Sequence, residues 1–181
     1  MKKIYLTTGT YDYLYRLWQK QKKRKLIFMH NEEHALLLDE SRKKSIFAAP
    51  RIYEIIDERG ELADTGFAHF YYYPVLIEDR QFFEHHLLKA ALRFNFTNGF
   101  IAYRFLRPVK RNSYLFFTMW ESEEAFRLWK KDQSLTSLFQ IPDAKLKKIS
   151  EPFPEPAYEV FYLVGEKEDK GKEFGADDYL R

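Results

Sequence analysis

Phe116-Phe117-Thr118-Met119-Trp120-Glu121-Ser122-Glu123-Glu124-Ala125-Phe126-Arg127-Leu128-Trp129 is the stretch on which the fold turns. With Tyr114 and Leu115 in front of it, the run to Trp120 has strand length and few polar interruptions, as suits a strand buried on both faces. Glu121 and Ser122 break the run. Ser122 is a plausible N-cap, and Glu123 and Glu124 then fall in the first helical turn, where the helix dipole favours negative charge. Ala125, Phe126 and Trp129 share helical spacing and supply one apolar face, with Leu128 beside them. Lys130 and Lys131 follow at the end that favours cations. A strand running straight into a helix thus carries two indoles on adjoining elements, either lining a ligand pocket or filling a core.

Outward from this stretch the chain is rich in rings: 181 residues include 17 Phe and 13 Tyr, and aromatics make up 18%. Such side chains build a thick core or line a flat cavity, and composition does not separate the two. A chain of this length buries roughly 70% of its unfolded surface and needs no covalent staple. Cysteine is absent, which removes disulfides and thiolate chemistry and fits a reducing compartment. The lysines at the start are followed by no apolar stretch of signal-peptide type, and no run approaches the roughly 20 residues that span a bilayer. A cytoplasmic protein is expected. The net charge of +3 is too slight to imply nucleic acid, and the run Lys20 to Lys25 reads as the solvated end of a helix, with no ring interleaved for base stacking.

In chain order, residues 3–8 read as a strand and 11–21 as an amphipathic helix. Residues 26–29 and 35–38 read as a hairpin whose rim carries His30 and His34. That pair lacks the Glu a zinc-peptidase motif needs after its first His, since Asn31 stands there. Ile52, Tyr53, Ile55 and Ile56 after Pro50 suggest a short helix over 51–59, stopped by Gly60. A strand follows over 67–77, with Phe67, His69, Tyr71 and Tyr73 on one face and Ala68, Phe70 and Tyr72 on the other. Pro74 implies an edge or a bulge. A helix over 80–96 closes at Asn98-Gly99; His85 and His86 on it diverge by about 100° and cannot share a metal. Strands at 100–106 and 114–120, the helix of 122–132, a Pro-rich irregular stretch and a strand at 158–164 complete the pattern. Residues 166–181 are a charged tail too poor in apolar residues to fold alone.

Residues 63–165 therefore form one unit in β-α-β-β-α-β order, an α+β ferredoxin-like domain. Residues 1–62 form a half-domain in the order β-α-β-β-α, the same pattern without its last strand. A four-stranded sheet with helices on one face leaves the other face bare. A second sheet must cover it, from this chain's own first half or from another subunit. Phe70 and Tyr72 would lie on the covered face, and His69, Tyr71 and Tyr73 toward the helices.

Several stretches, MKKIYLTTGTYDYL from Met1, APRIYEIIDERGEL from Ala49, GFIAYRFLRPVKRNSY from Gly99 and WESEEAFRLWK from Trp120, resemble those of the TRAP proteins (target of RNAIII-activating protein). These belong with the antibiotic biosynthesis monooxygenase-like (ABM) proteins, and the resemblance covers about residues 1 to 135. It implies a dimeric α+β-barrel fold, here either a homodimer or an intramolecular pseudo-dimer. It also implies kinship with haem-degrading monooxygenases, in which haem sits between sheet and helices beside an Asn, a Trp and an iron-binding His. In this sequence the Trp of that trio matches Trp129, whereas Tyr71 stands in the place of the Asn and Phe139 in that of the His. Phe139 has no lone pair for iron, and Tyr71 lacks the compact amide. A Tyr phenolate can ligate ferric haem, and His69 lies two residues earlier on the same face. Gly66 and Asp79 occupy the places of histidines proposed for phosphorylation in TRAP members, which speaks against a phosphorelay.

Two functions stay open on this reading. One is a haem-degrading or other ABM-type monooxygenase, with Trp129 shaping the pocket, Phe126 lining it, Tyr71 or His69 as the polar group, and haem or a small aromatic ligand as partner. The other is a non-catalytic binding, stress or signalling protein that keeps the fold. No flavin or nucleotide motif, Gly-rich phosphate loop or nucleophile elbow occurs, and no metal site beyond haem iron is expected.

Overall fold

The structure, a computed structural model, describes residues 1–94, 96, 98–132 and 157–168. Its strands are β1 (Lys3–Gly9), β2 (Leu26–His30), β3 (Ala35–Asp39), β4 (Arg51–Arg59), β5 (Gly66–Pro74), β6 (Phe100–Pro108), β7 (Ser113–Trp120) and β8 (Tyr158–Val164). They pair antiparallel and close into a barrel in the order β1-β3-β2-β8-β5-β7-β6-β4. Three α-helices occur among the described residues: α1 (Tyr11–Lys20), α2 (Arg80–Ala91) and α3 (Glu123–Asp132).

The barrel resolves into two four-stranded sheets. The second half contributes β8-β5-β7-β6, which in that half's own numbering is 4-1-3-2, the ferredoxin-like order. The first half contributes β4-β1-β3-β2, which is 4-1-3-2 again. Of the two ways to cover the bare sheet face, the chain takes the intramolecular one. Alternation puts Ala68, Phe70 and Tyr72 inside the barrel with Ile4, Leu6, Ile27, Leu36, Leu38, Leu115 and Phe117. The opposite set of β5 faces a second core under α2 and α3, made with Phe83, Tyr103, Phe116, Trp120, Phe126 and Trp129. α1 covers the first sheet through a third cluster around Leu14, Phe28 and Phe47.

The expected helix over residues 51–59 is instead strand β4, paired with β1 and β6. Tyr53 and Ile55 face the barrel and Ile56 the helical layer, across a bulge between Ile55 and Asp57. Apolar residues at 52, 53, 55 and 56 satisfy a helix and a strand buried on both faces equally well. The free edges of β1 and β6 decide for the strand, because buried backbone N–H and C=O groups must be paired. The first half is thus β-α-β-β-β: its last strand is present and its second helix is missing.

Helix α2 is shorter than its apolar pattern. After Ala91 the backbone tightens into i→i+3 bonds, Arg93 N to Ala90 O and Phe94 N to Ala91 O. Phe94 is thereby carried onto Phe116 and Trp129, and Asn98-Gly99 leads into β6 rather than capping the helix. Pro74 ends β5 beyond Tyr72, the last residue paired with β8, so its missing N–H leaves no partner unsatisfied. His30 is not a rim residue but buried, its Nδ1 2.9 Å from the Gly165 carbonyl. His34 is half-buried, with Nε2 2.8 Å from the Tyr162 hydroxyl. His85 is exposed and His86 half-buried. The Pro-rich stretch and residues 169–181 lie outside the described residues.

Candidate functional site on the outer face of the second sheet

Strand alternation aims Phe67, His69 and Tyr71 of β5 at the layer where α3 packs. α3 begins as its sequence requires: the Ser122 hydroxyl accepts from Ala125 N at 3.2 Å, and Glu123 pairs with Arg127 one turn on. It can sit close because Gly99, at φ +90°, lies under it without a side chain. A Cβ there would stand 2.5 Å from that of Ala125. Phe126 and Trp129 then point down at the sheet, and Trp129 is 0% exposed.

His69 is also 0% exposed. Its ring centre lies 4.6 Å from Phe126 and 5.0 Å from Phe161 of β8. Nε2 stands 3.3 Å from Glu159 Oε1, an ion-pair distance without hydrogen-bond alignment, and neither ring nitrogen has a hydrogen-bond partner. Burial lowers the His69 pKa, and the neighbouring Glu159 does not restore it. The imidazole is therefore neutral near pH 7 and presents a lone pair inside an aromatic wall. Glu159 is held below the usual carboxylate range by the His69 and Lys130 contacts, which outweigh its partial burial. Lys130 Nζ stands 3.6 Å from its carboxylate and 5.8 Å from the Phe126 ring centre. Burial raises the Tyr71 phenol, which favours its neutral form over the phenolate.

The structure brings His69, Tyr71 and Phe126 together, with Phe126 as the link to Trp129. Trp129 itself is set among Trp120, Phe94 and Phe96, at ring distances of 5.2, 6.3 and 5.9 Å. Phe139 lies outside the described residues. Two members of the site escape local reading, Glu159 and Phe161. Alternation puts them on one face of β8, but only the register His69↔Phe161 and Tyr71↔Glu159 sets that face beside His69. Among the described residues no three His, Asp or Glu side chains gather as metal ligands. No described helix is long and apolar enough to cross a membrane.

An antiparallel α+β barrel with helices outside and a ring-lined layer beneath α3 defines the ABM type of fold, and residues 68–136 match the antibiotic biosynthesis monooxygenase family. The chain is 28% identical over 131 residues to a haem-degrading monooxygenase of Listeria monocytogenes, covering 72% of this chain and 78% of that protein. It is 28% identical over 127 residues to the signal transduction protein TRAP of Staphylococcus epidermidis, covering 70% and 76%. Among solved structures, one described as a major regulator of staphylococcal pathogenesis superposes with TM-score 0.75 at 26% identity, over 92% of this chain and 100% of that one. A haem-degrading enzyme from Listeria monocytogenes shares the fold with TM-score 0.68 at 23% identity, over 90% and 99%. The chain has the ABM type of fold and is similar in sequence to a haem-degrading monooxygenase and to TRAP proteins.

Proposed function

We propose that the layer between the second sheet and its helices is a haem site, and that the protein works as an ABM-type monooxygenase on haem or as its binder. The carrying observation is His69: a fully buried, neutral imidazole whose Nδ1 has no polar partner and whose Nε2 meets only Glu159, at 3.3 Å and out of hydrogen-bond alignment. A buried polar group without a partner costs about 1–3 kcal/mol, and coordination to iron would remove that cost. Phe126 lies against the His69 ring with Trp129 packed behind it, and Lys130, now 3.6 Å from Glu159, would turn to a ligand carboxylate. On the resemblance, Tyr71 and Phe139 stand where such enzymes carry Asn and His, and on this reading His69 supplies the nitrogen. Haem would bring its own iron for dioxygen chemistry; the chain would hold the plane, shield it from water and provide the nitrogen. The absence of cysteine supports a cytoplasmic setting.

Titrating the purified chain with haemin is expected to give a saturable Soret band, lost in His69→Ala, and ascorbate is expected to bleach it. No Soret shift at micromolar protein would remove the proposal. A stable Soret band that survives ascorbate would make the protein a binder rather than an enzyme.

A further inference from the structure

The two arginines that point into the barrel are treated differently. Arg104 of β6, on the inward face with Ala102 and Leu106, meets both carboxylate oxygens of Glu40 at 3.0 Å and Glu58 at 3.6 Å. It also donates to the carbonyls of Arg59 and Gly60. Arg24 and Arg107 are paired with carboxylates as well. Arg51 opens β4 at the other end of that strand from Glu58, on the inward face with Tyr53 and Ile55. Among the described residues no carboxylate lies within ion-pair distance of it. Its guanidinium instead lies over the Tyr72 ring, 5.7 Å from the centre.

Around it, among the described residues, lies the barrel mouth. A cavity of about 510 Å³ is lined by Thr8, His34, Arg51, Tyr72, Tyr158 and Tyr162, among others. Tyr72 and Tyr158 stack at 4.7 Å. Burial pushes the phenols of Tyr53, Tyr72 and Tyr162 up, so they stay protonated and able to donate. A cation with no carboxylate partner among the described residues, neutral donors and ring faces in a cavity of ligand size are the parts of an organic anion site, and barrel mouths commonly hold such sites. Glu33 also lines the cavity and opposes a second negative charge. Glu159, on its wall, is engaged by Lys130.

We propose that the barrel mouth at Arg51 is a second binding site, separate from the layer beneath α3, for a small monocarboxylate with an aromatic or apolar body. The guanidinium takes the carboxylate, the phenols and His34 lend polar contacts, and the stacked Tyr72 and Tyr158 hold the body.

The test is an NMR titration of the full chain with benzoate, 2-naphthoate and inorganic phosphate. Saturable shifts with an aryl carboxylate are expected at the amides of Thr8, Gly9, His34 and Arg51, with little from phosphate. Arg51→Gln is expected to weaken the affinity about tenfold or more. Glu33→Gln, at an exposed position where folding is not at stake, is expected to tighten it about twofold. The proposal fails if no aryl carboxylate gives saturable shifts at millimolar concentration. It fails equally if Arg51→Gln binds as well as the parent, or if phosphate is preferred. Because the shifts are read at the mouth, a negative haemin titration leaves this result unaffected.

Discussion

A buried histidine kept neutral makes stability depend on acidity with a definite sign. Burial lowers the His69 pKa in the folded chain, so the unfolded chain binds protons more readily than the folded one as the pH falls. The contribution is fully present above the ordinary histidine pKa of about 6.5 and is lost as the pH drops through that value toward the folded one. His30, also lowered by burial, acts with the same sign, and the lowered pKa of Glu159 adds an acid limb below the usual carboxylate range. Urea midpoints should therefore fall between pH 7 and pH 5, and His69→Asn should flatten this limb in part. The inward arginines make a second contrast. Removing one partner of a buried pair costs about 3–5 kcal/mol, so Arg104→Met should be severely destabilising in urea unfolding. Arg51→Gln gives up only a ring contact worth about 0.5–1 kcal/mol.

At the level of elements, β5, β7 and α3 are legible in sequence because each pattern has one solution. Strict alternation in Phe67 to Tyr73, an unbroken apolar run to Trp120 and the Ser122 cap leave no competing reading. β4 is not legible, since Ile52, Tyr53, Ile55 and Ile56 fit two periodicities and the choice rests on strand edges far away in sequence. The site divides the same way. His69, Tyr71 and Phe126 share a face that alternation and helical spacing define, whereas Glu159, Phe161 and Arg51 join their partners only through strand pairing and barrel closure. Gly99 shows how finely α3 is seated. Gly99→Ala would force a Cβ against Ala125 at an unfavourable φ, costing about 1–3 kcal/mol. Thermal unfolding should register the loss, and the displaced helix should weaken any haemin Soret band in parallel.

For the whole molecule, closure depends on two unequal seams. β4 and β6 pair from Tyr53↔Pro108 to Arg59↔Tyr103, whereas β2 and β8 share only Met29↔Val164 and His30↔Leu163. Side chains reinforce the short seam: Asn31 Nδ2 donates to the Phe161 carbonyl at 3.1 Å, and His30 contacts Gly165. Hydrogen exchange should find the seam amides of β2 and β8 less protected than those of β5 and β7. Asn31→Ala should widen that difference at a cost of about 1 kcal/mol.

The repeated 4-1-3-2 order within one polypeptide carries a consequence for how the protein can change. Two sheets on separate chains come apart on dilution, and a substitution in one is copied into the other. Here the tether fixes their local concentration, so mass action does not dissolve the barrel. Each half also accumulates substitutions on its own. The first half has no second helix while the second carries the ring-lined layer, an asymmetry that identical subunits could not reach.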